Sequence, residues 1–595
     1  MTVLLDLALP RTLDQWKKLL PATPRPGGTV EGWLFEGPRA RRAAERQLRL
    51  AGVEARLHSA YKPLVHHFLE ALVRERLARV TVHYPVHPNA PPRRFALEAY
   101  PLAEMLGDAA LQLVAKPVSD EMPVYDVELE WCDGRRRTDT VLAPNRVHVD
   151  HLGETLLSPT AWLRERHGQT IIADGRHESE HEAVFRHAMD CLRQHAWPRD
   201  EPYFERLDIR VDLPGIASTS TRETGWINTH EALHEDLYFS LLEVFQQRSK
   251  RPAGDRRLQP GQIVPDVRAG RKGAVRLRIS VGSWTPPGNE PKGPEGTAVT
   301  KAGSPLVTPI AKADAPLAPG RVKEELVRIE GQPFAATSVQ GRTVAGVYRL
   351  GAGPAVLITG AQHANETSGV VGALRAAQEL AHRRDAHFAL IPVENPDGYA
   401  LHRALCAHAP RHMHHAARYT ALGDDLEYRE EPPWFERDAR HQAVALSGAQ
   451  LHINLHGYPA HEWTRPFTGY IPRGFELWTV PKGFFLILRH HAGWAAQARA
   501  LADHVCRQLA QRPALMAFNA AQRASYNAHA GELPFEVIHG TACMISEVNR
   551  PSPALTLITE FPDETIYGEP FILAHDTQTA TVLAAVDALG ALTLP

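Results

Sequence analysis

AVLITGAQHANETSG, residues 355–369, is the stretch whose reading decides the fold. Its first six residues are an apolar run closed by Gly360, the pattern of a short strand buried on both faces. Polar residues follow, and the spacing from residue 366 to 383 predicts a helix. Working outward, further apolar strands are expected at 387–393, 450–457, 542–548 and 555–559, with helices between them such as 495–511. Short apolar strands alternating with helices predict an α/β domain with a mixed, mostly parallel sheet covered by helices. In such sheets ligands gather beyond the C-terminal ends of the strands. His363 and Glu366 lie just past one strand end, so they are the first candidates.

HxxE is a weak motif alone, but here the two side chains can converge on one ion at the mouth of the sheet. A third ligand has to come from another strand end. LHINLHGYP, residues 451–459, offers His456, followed directly by Gly-Tyr-Pro; His452 shares its face but sits four residues deeper. A His₂Glu set leaves the fourth position of a zinc ion open for water or substrate, as hydrolytic zinc requires. Two HExxH strings compete with this reading, His177-Glu178-Ser179-Glu180-His181 and His230-Glu231-Ala232-Leu233-His234. That motif works when a helix presents both histidines on one face. The 32 histidines make chance occurrences frequent. Residues 227–246 predict an amphipathic helix with His230 and His234 on the stripe of Leu237 and Leu241, where a hydrogen-bonded, half-buried pair explains the string as well as a metal does.

Four motifs in order carry a family resemblance: Ser338-Val339-Gln340-Gly341-Arg342, then residues 355–369, then Asn395-Pro396-Asp397-Gly398-Tyr399, then Asn454-Leu455-His456-Gly457. Together they resemble the zinc carboxypeptidase family (M14, carboxypeptidase A-like). The likeness covers the C-terminal half alone. It implies one zinc ion per chain held by His363, Glu366 and His456, and hydrolysis of a C-terminal peptide or amide bond. It also implies a catalytic Glu closing a late strand. ALTLITEFP, residues 554–562, matches that element and makes Glu560 the general base, with Glu547 as the rival. The family places arginines after NPDG, ending in an Asn-Arg pair. This chain has Arg403, Arg411 and Arg418 there and lacks the pair. Arg411 is nearest in spacing to the arginine that faces the oxyanion, Arg418 can replace the missing pair, and Tyr526 matches a substrate-binding tyrosine. The histidines at 412, 414 and 415 face substrate or form a solvated loop. HANETSG equally resembles the aminoacylase and desuccinylase deacylases. The expected substrate is therefore a peptide or an N-acyl amino acid, and a binding protein that has lost catalysis is the further alternative.

The chain of 595 residues is too long for one ordinary core. Residues 283–324 are rich in Pro and Gly and read as a connection between an α+β N-terminal domain, 1–282, and the domain at 325–595. In the first part, helices are expected at 41–51 and 62–77, strands at 80–86, 124–131, 207–213 and 275–281, and a hairpin turn at Asp133-Gly134. It carries no trusted functional motif. A net charge of −2 gives no electrostatic argument for nucleic acid or an anionic membrane. The start has no basic segment ahead of a sustained apolar run, and no stretch approaches about 20 apolar residues, so neither a secretory signal nor a membrane span is expected. Five scattered cysteines without CxxC pairs fit a reducing, cytoplasmic setting. Oligomeric state is not legible.

Overall fold

A computed structural model describes residues 1–22, 28–72, 74–118, 122–219, 226–284, 309–550 and 553–592. Nine strands of the C-terminal half form one sheet. In chain order they are β1 (Gln332–Thr337), β2 (Thr343–Arg349), β3 (Val356–Gly360), β4 (Phe388–Ile391), β5 (Leu451–Pro459), β6 (Phe485–His490), β7 (Glu536–Ile538), β8 (Thr541–Glu547) and β9 (Leu555–Glu564). Their order in space is β1-β2-β4-β3-β5-β9-β6-β8-β7. β4/β3, β3/β5, β5/β9 and β6/β8 pair in parallel. β1/β2, β2/β4, β9/β6 and β8/β7 are antiparallel. The sheet is mixed as expected but not mostly parallel. Each antiparallel pair includes a strand not expected from the sequence, β1, β2, β6 or β7.

β3, β4 and β5 are buried along their whole length, which is why their sequences lack alternation. One face of the sheet packs on three helices, α2 (Ser368–Leu380), α4 (Ala495–Leu509) and α5 (Glu569–Ala591), around Ile358, Val370, Ile453, Val505, Leu557 and Val582. Part of the opposite face is covered by α3 (Arg437–Ser447), whose Ala439 and Ala443 meet Leu357 and Ile391. The chain leaves β3 toward β4 on one side, while β5 lies on the other. That reversal is the switch point beside which ligands of open sheets bind.

The first half has three four-stranded sheets. One joins Thr2–Leu9, Val275–Gly282, Arg206–Leu213 and Gln262–Ala269; the second runs from Thr170–His177 through Ala161–His167 and Gly28–Leu34 to Glu54–Ser59, and the third from Ala110–Pro117 through Leu77–Val86 and Val124–Trp131 to Arg136–Leu142. The Asp133-Gly134 hairpin is present, with Gly134 at φ 83 joining antiparallel strands. The helix expected at 62–77 stops early, at Pro63–Glu70, and Leu77 already begins a strand. Helix α1 (Thr229–Arg248) is buried along nearly all of its length. It is covered from both halves: Leu233, Leu237 and Phe239 share one apolar core with Val184, Leu207 and Val264 of the first half and Met413, Trp463, Tyr470 and Phe485 of the second. Most of the expected connection, 285–308, lies outside the described residues. Its end is not a linker, because Pro319–Val327 is a helix that buries Val322 and Leu326 in the core under the sheet. Among the described residues no helix is long and apolar enough to cross a membrane.

Candidate functional site

The turn after β3 places Ala361 at φ 47, outside the extended backbone of the strand, and carries the chain across the end of β5. His363 and Glu366 are thereby brought to His456 in the last part of β5. His363 Nδ1 lies 2.8 Å from Glu366 Oε1, and His456 Nδ1 lies 2.8 Å from Glu366 Oε2 and 3.1 Å from His363 Nδ1. Among the described residues this is the one group of three or more His, Cys, Asp or Glu side chains whose ligand atoms lie within 4.8 Å of one another. Nitrogen and oxygen ligands of a tetrahedral zinc ion stand about 3.3 Å apart, so the donor set fits that ion in type and spacing. Gly457 follows His456 because nothing larger fits: a Cβ there would stand 1.9 Å from Asp563 Oδ1. Asp563 in turn accepts the Ser368 amide at 2.8 Å and fixes the start of α2.

The outer atoms of the ligands are held as well. Asp425 Oδ2 lies 3.4 Å from His363 Nε2, and its other oxygen accepts Gln362 Nε2 at 3.1 Å and the Glu427 amide at 3.0 Å. A carboxylate behind a ligating imidazole selects the tautomer and makes the facing nitrogen more basic. Asp425→Asn is expected to weaken zinc affinity about 10- to 100-fold, measured by competition against a chelator. Arg418 Nη1 donates to Glu366 Oε1 at 2.8 Å. Burial alone would raise the pKa of Glu366, but His363, His456 and Arg418 outweigh it and hold the group well below the usual carboxylate range.

β9 runs parallel to β5 with Glu560 directly opposite His456, so both side chains face the same cavity. The strand continues four residues past Glu560 instead of closing on it. Burial and the Glu366 carboxylate push Glu560 well above the usual range, with Arg418 and Lys482 opposing. Lys482 gave no sequence signal. Its Nζ sits 4.4 Å from the ring centroid of Trp478, 4.5 Å from Tyr458 and 5.1 Å from Phe485, and donates to Leu477 O at 3.1 Å. Burial pushes this amine down to about 7. Between pH 7 and the usual amine range, the unfolded chain then binds a proton that the folded chain does not. Stability from this group therefore rises with pH across that window, by roughly 5 kcal/mol in all. Lys482→Met is expected to flatten the rise, read from urea midpoints at pH 7 and pH 9.

Six aromatic rings (Phe239, Tyr428, Tyr458, Trp463, Phe475 and Trp478) wall a cavity of ≈ 220 Å³ whose polar lining includes His363, His456, Glu560 and Arg418. Two of its residues, Phe239 on α1 and Arg256, come from the N-terminal half. The histidines at 412, 414 and 415 are buried and form no solvated loop. Only His415 lines the cavity, its Nδ1 2.6 Å from Glu235 Oε2. His412 Nε2 meets Asn228 Nδ2, and His414 Nε2 meets Ala409 O at 2.7 Å.

Several expected roles find no place here. Arg411 is exposed, stacks 5.6 Å from the Trp226 ring and does not line the cavity. Tyr526 is buried on the helix Pro513–Ala530, also outside the lining. Spacing alone suggested both, and loop length defeats spacing. Glu547 is exposed at the end of β8, accepting Asn549 Nδ2 at 3.2 Å. The HExxH strings serve the fold: His230 Nε2 meets Leu213 O at 2.9 Å, and Glu231 Oε1 accepts the Met413 amide at 2.7 Å. His177 ends a strand while His181 lies on the helix Glu180–Gln194, so that pair shares no helical face.

Residues 329–458, in the C-terminal half, match the family model of the zinc carboxypeptidases. The match contains all three candidate ligands and ends before Glu560. Among solved structures, the chain is similar to a metallo-carboxypeptidase from Burkholderia cenocepacia at 15% identity, covering 47% of this chain and 70% of that one, with a TM-score of 0.30. It is also similar to a succinylglutamate desuccinylase/aspartoacylase from Rhodobacter sphaeroides at 14% identity, covering 44% and 66%, with a TM-score of 0.25. No curated protein matches it.

Proposed function

We propose that this chain is a zinc-dependent hydrolase of an amide bond in a small carboxylate-bearing substrate, a C-terminal peptide or an N-acyl amino acid. One observation carries the reading: a buried His₂Glu donor set and Glu560, its register partner across β5 and β9, open into one cavity. His363, Glu366 and His456 would hold a zinc ion, which would supply Lewis acidity toward the scissile carbonyl and a nearby water. Glu560 accepts that water's proton and delivers it to the leaving amine. Arg418, beside Glu366, is the cation placed to face the oxyanion as it develops. The aromatic walls exclude water and strengthen each of these interactions. In this reading residues 325–595 carry the hydrolytic chemistry and residues 1–282 complete the cavity.

Phe239 and Arg256 line the cavity from the N-terminal half, and the region after NPDG lacks the Asn-Arg pair. Both features favour a short N-acyl amino acid over the end of a long polypeptide. The test is a panel of C-terminally free peptides, C-terminally amidated peptides and N-acyl amino acids, assayed with the zinc-loaded chain and again after chelation. Release of a free amine that chelation abolishes and zinc restores is expected. A zinc-loaded chain inert toward the whole panel would sink the hydrolase reading.

A further inference from the structure

Three guanidinium groups line the cavity, and they differ in what they already hold. Arg418 is committed to Glu366 at 2.8 Å. Arg489 lies on β6 with Glu427 4.0 Å away. Arg256 comes from the segment after α1 and is fixed by stacking. Its guanidinium carbon lies 5.5 Å from the Tyr428 ring centroid and 5.7 Å from that of Phe475. Its one ion-pair partner is Asp425 Oδ2 at 3.6 Å, too long for a hydrogen bond. Asp425 already accepts Gln362 and the Glu427 amide and faces His363. Within the described residues no hydrogen bond is made by the side-chain N–H groups of Arg256, which keeps about a third of its surface exposed. A flat cation held between rings, with its donors unspent and its edge toward a cavity, is pre-organised for a planar anion gripped through two parallel hydrogen bonds. The Asp425 bridge keeps it two contacts from the metal-ligand imidazole, so an anion bound there stays beside the reacting bond.

We propose that Arg256, supplied by the N-terminal half, binds the free carboxylate of the substrate and thereby makes that half part of the active site. The inference rests on the hydrolase reading for its substrate class, and its test separates the two. The full-length, zinc-loaded chain and Arg256→Gln are assayed on N-acetyl and N-benzoyl amino acids, each as free acid and as carboxamide. Calorimetric binding of the same pairs is measured alongside. Wild type is expected to favour the acid in kcat/KM and in binding. Arg256→Gln should lower that acid-over-carboxamide ratio by roughly 30-fold or more, the loss typical of one partner of a desolvated charge pair. Zinc content and melting temperature should match wild type. Arg256→Lys, which keeps the charge without the planar fork, should lose part of the ratio, and it decides the matter if the Gln variant fails to fold. A ratio unchanged by both substitutions overturns the proposal, as does a wild type indifferent to the carboxylate. Absence of any hydrolysis defeats the hydrolase reading alone, and the binding ratio then judges Arg256 by itself.

Discussion

Glu560→Gln is expected to lower kcat by roughly 10²–10⁴-fold while the chain still holds one zinc ion. The substitution keeps the shape of the side chain and its place opposite His456. It removes the one property the mechanism needs, the ability to take and return a proton. Because Glu560 is not among the atoms that converge at the metal site, zinc stoichiometry by elemental analysis should stay at one. KM should move far less than kcat, since proton transfer belongs to the transition state and not to binding. Full activity in Glu560→Gln would move the base elsewhere in the cavity. Loss of zinc together with activity would instead make Glu560 a ligand.

His363→Ala and His456→Ala should each reduce zinc content from one per chain to near zero at micromolar metal, and abolish turnover with it. Each removes one of three donors and leaves Glu366 facing a single imidazole, and structural affinity falls steeply when a ligand set is incomplete. His234→Ala is the matched control. His234 lies on α1 with its ring 5.4 Å from that of His414, so its loss should leave one zinc in place. Zinc that survives His363→Ala but not His234→Ala would transfer the site to the HExxH helix and refute the site at β3 and β5.

His363, Glu366, His456 and Glu560 were legible because each sits at a fixed step from a strand that announces itself. His363 and Glu366 follow the end of the apolar run of β3, while His456 and Glu560 lie within β5 and β9, paired in register. Asp425 and Lys482 gave no such signal. Asp425 lies in a loop more than 60 residues from His363 in the chain. Lys482 becomes unusual only once three aromatic rings from β5, β6 and the loop before it close around it. Arg411 and Tyr526 lie outside the cavity lining: spacing was carried over, but no local pattern tied either to a strand end. The antiparallel pairs were missed because β1, β2, β6 and β7 were not expected as strands.

Leu233, Leu237 and Phe239 of α1 sit in the same apolar mass as Met413, Trp463 and Phe485. A protein built this way has no seam. Its first half cannot be traded for another module, as a tethered accessory could, without stripping the lining from the second. Mutations that tune the wall around Phe239 must answer to the folding of both parts at once. Repacking on either side of this mass is expected to be felt in the cavity wall and in the stability of both halves together.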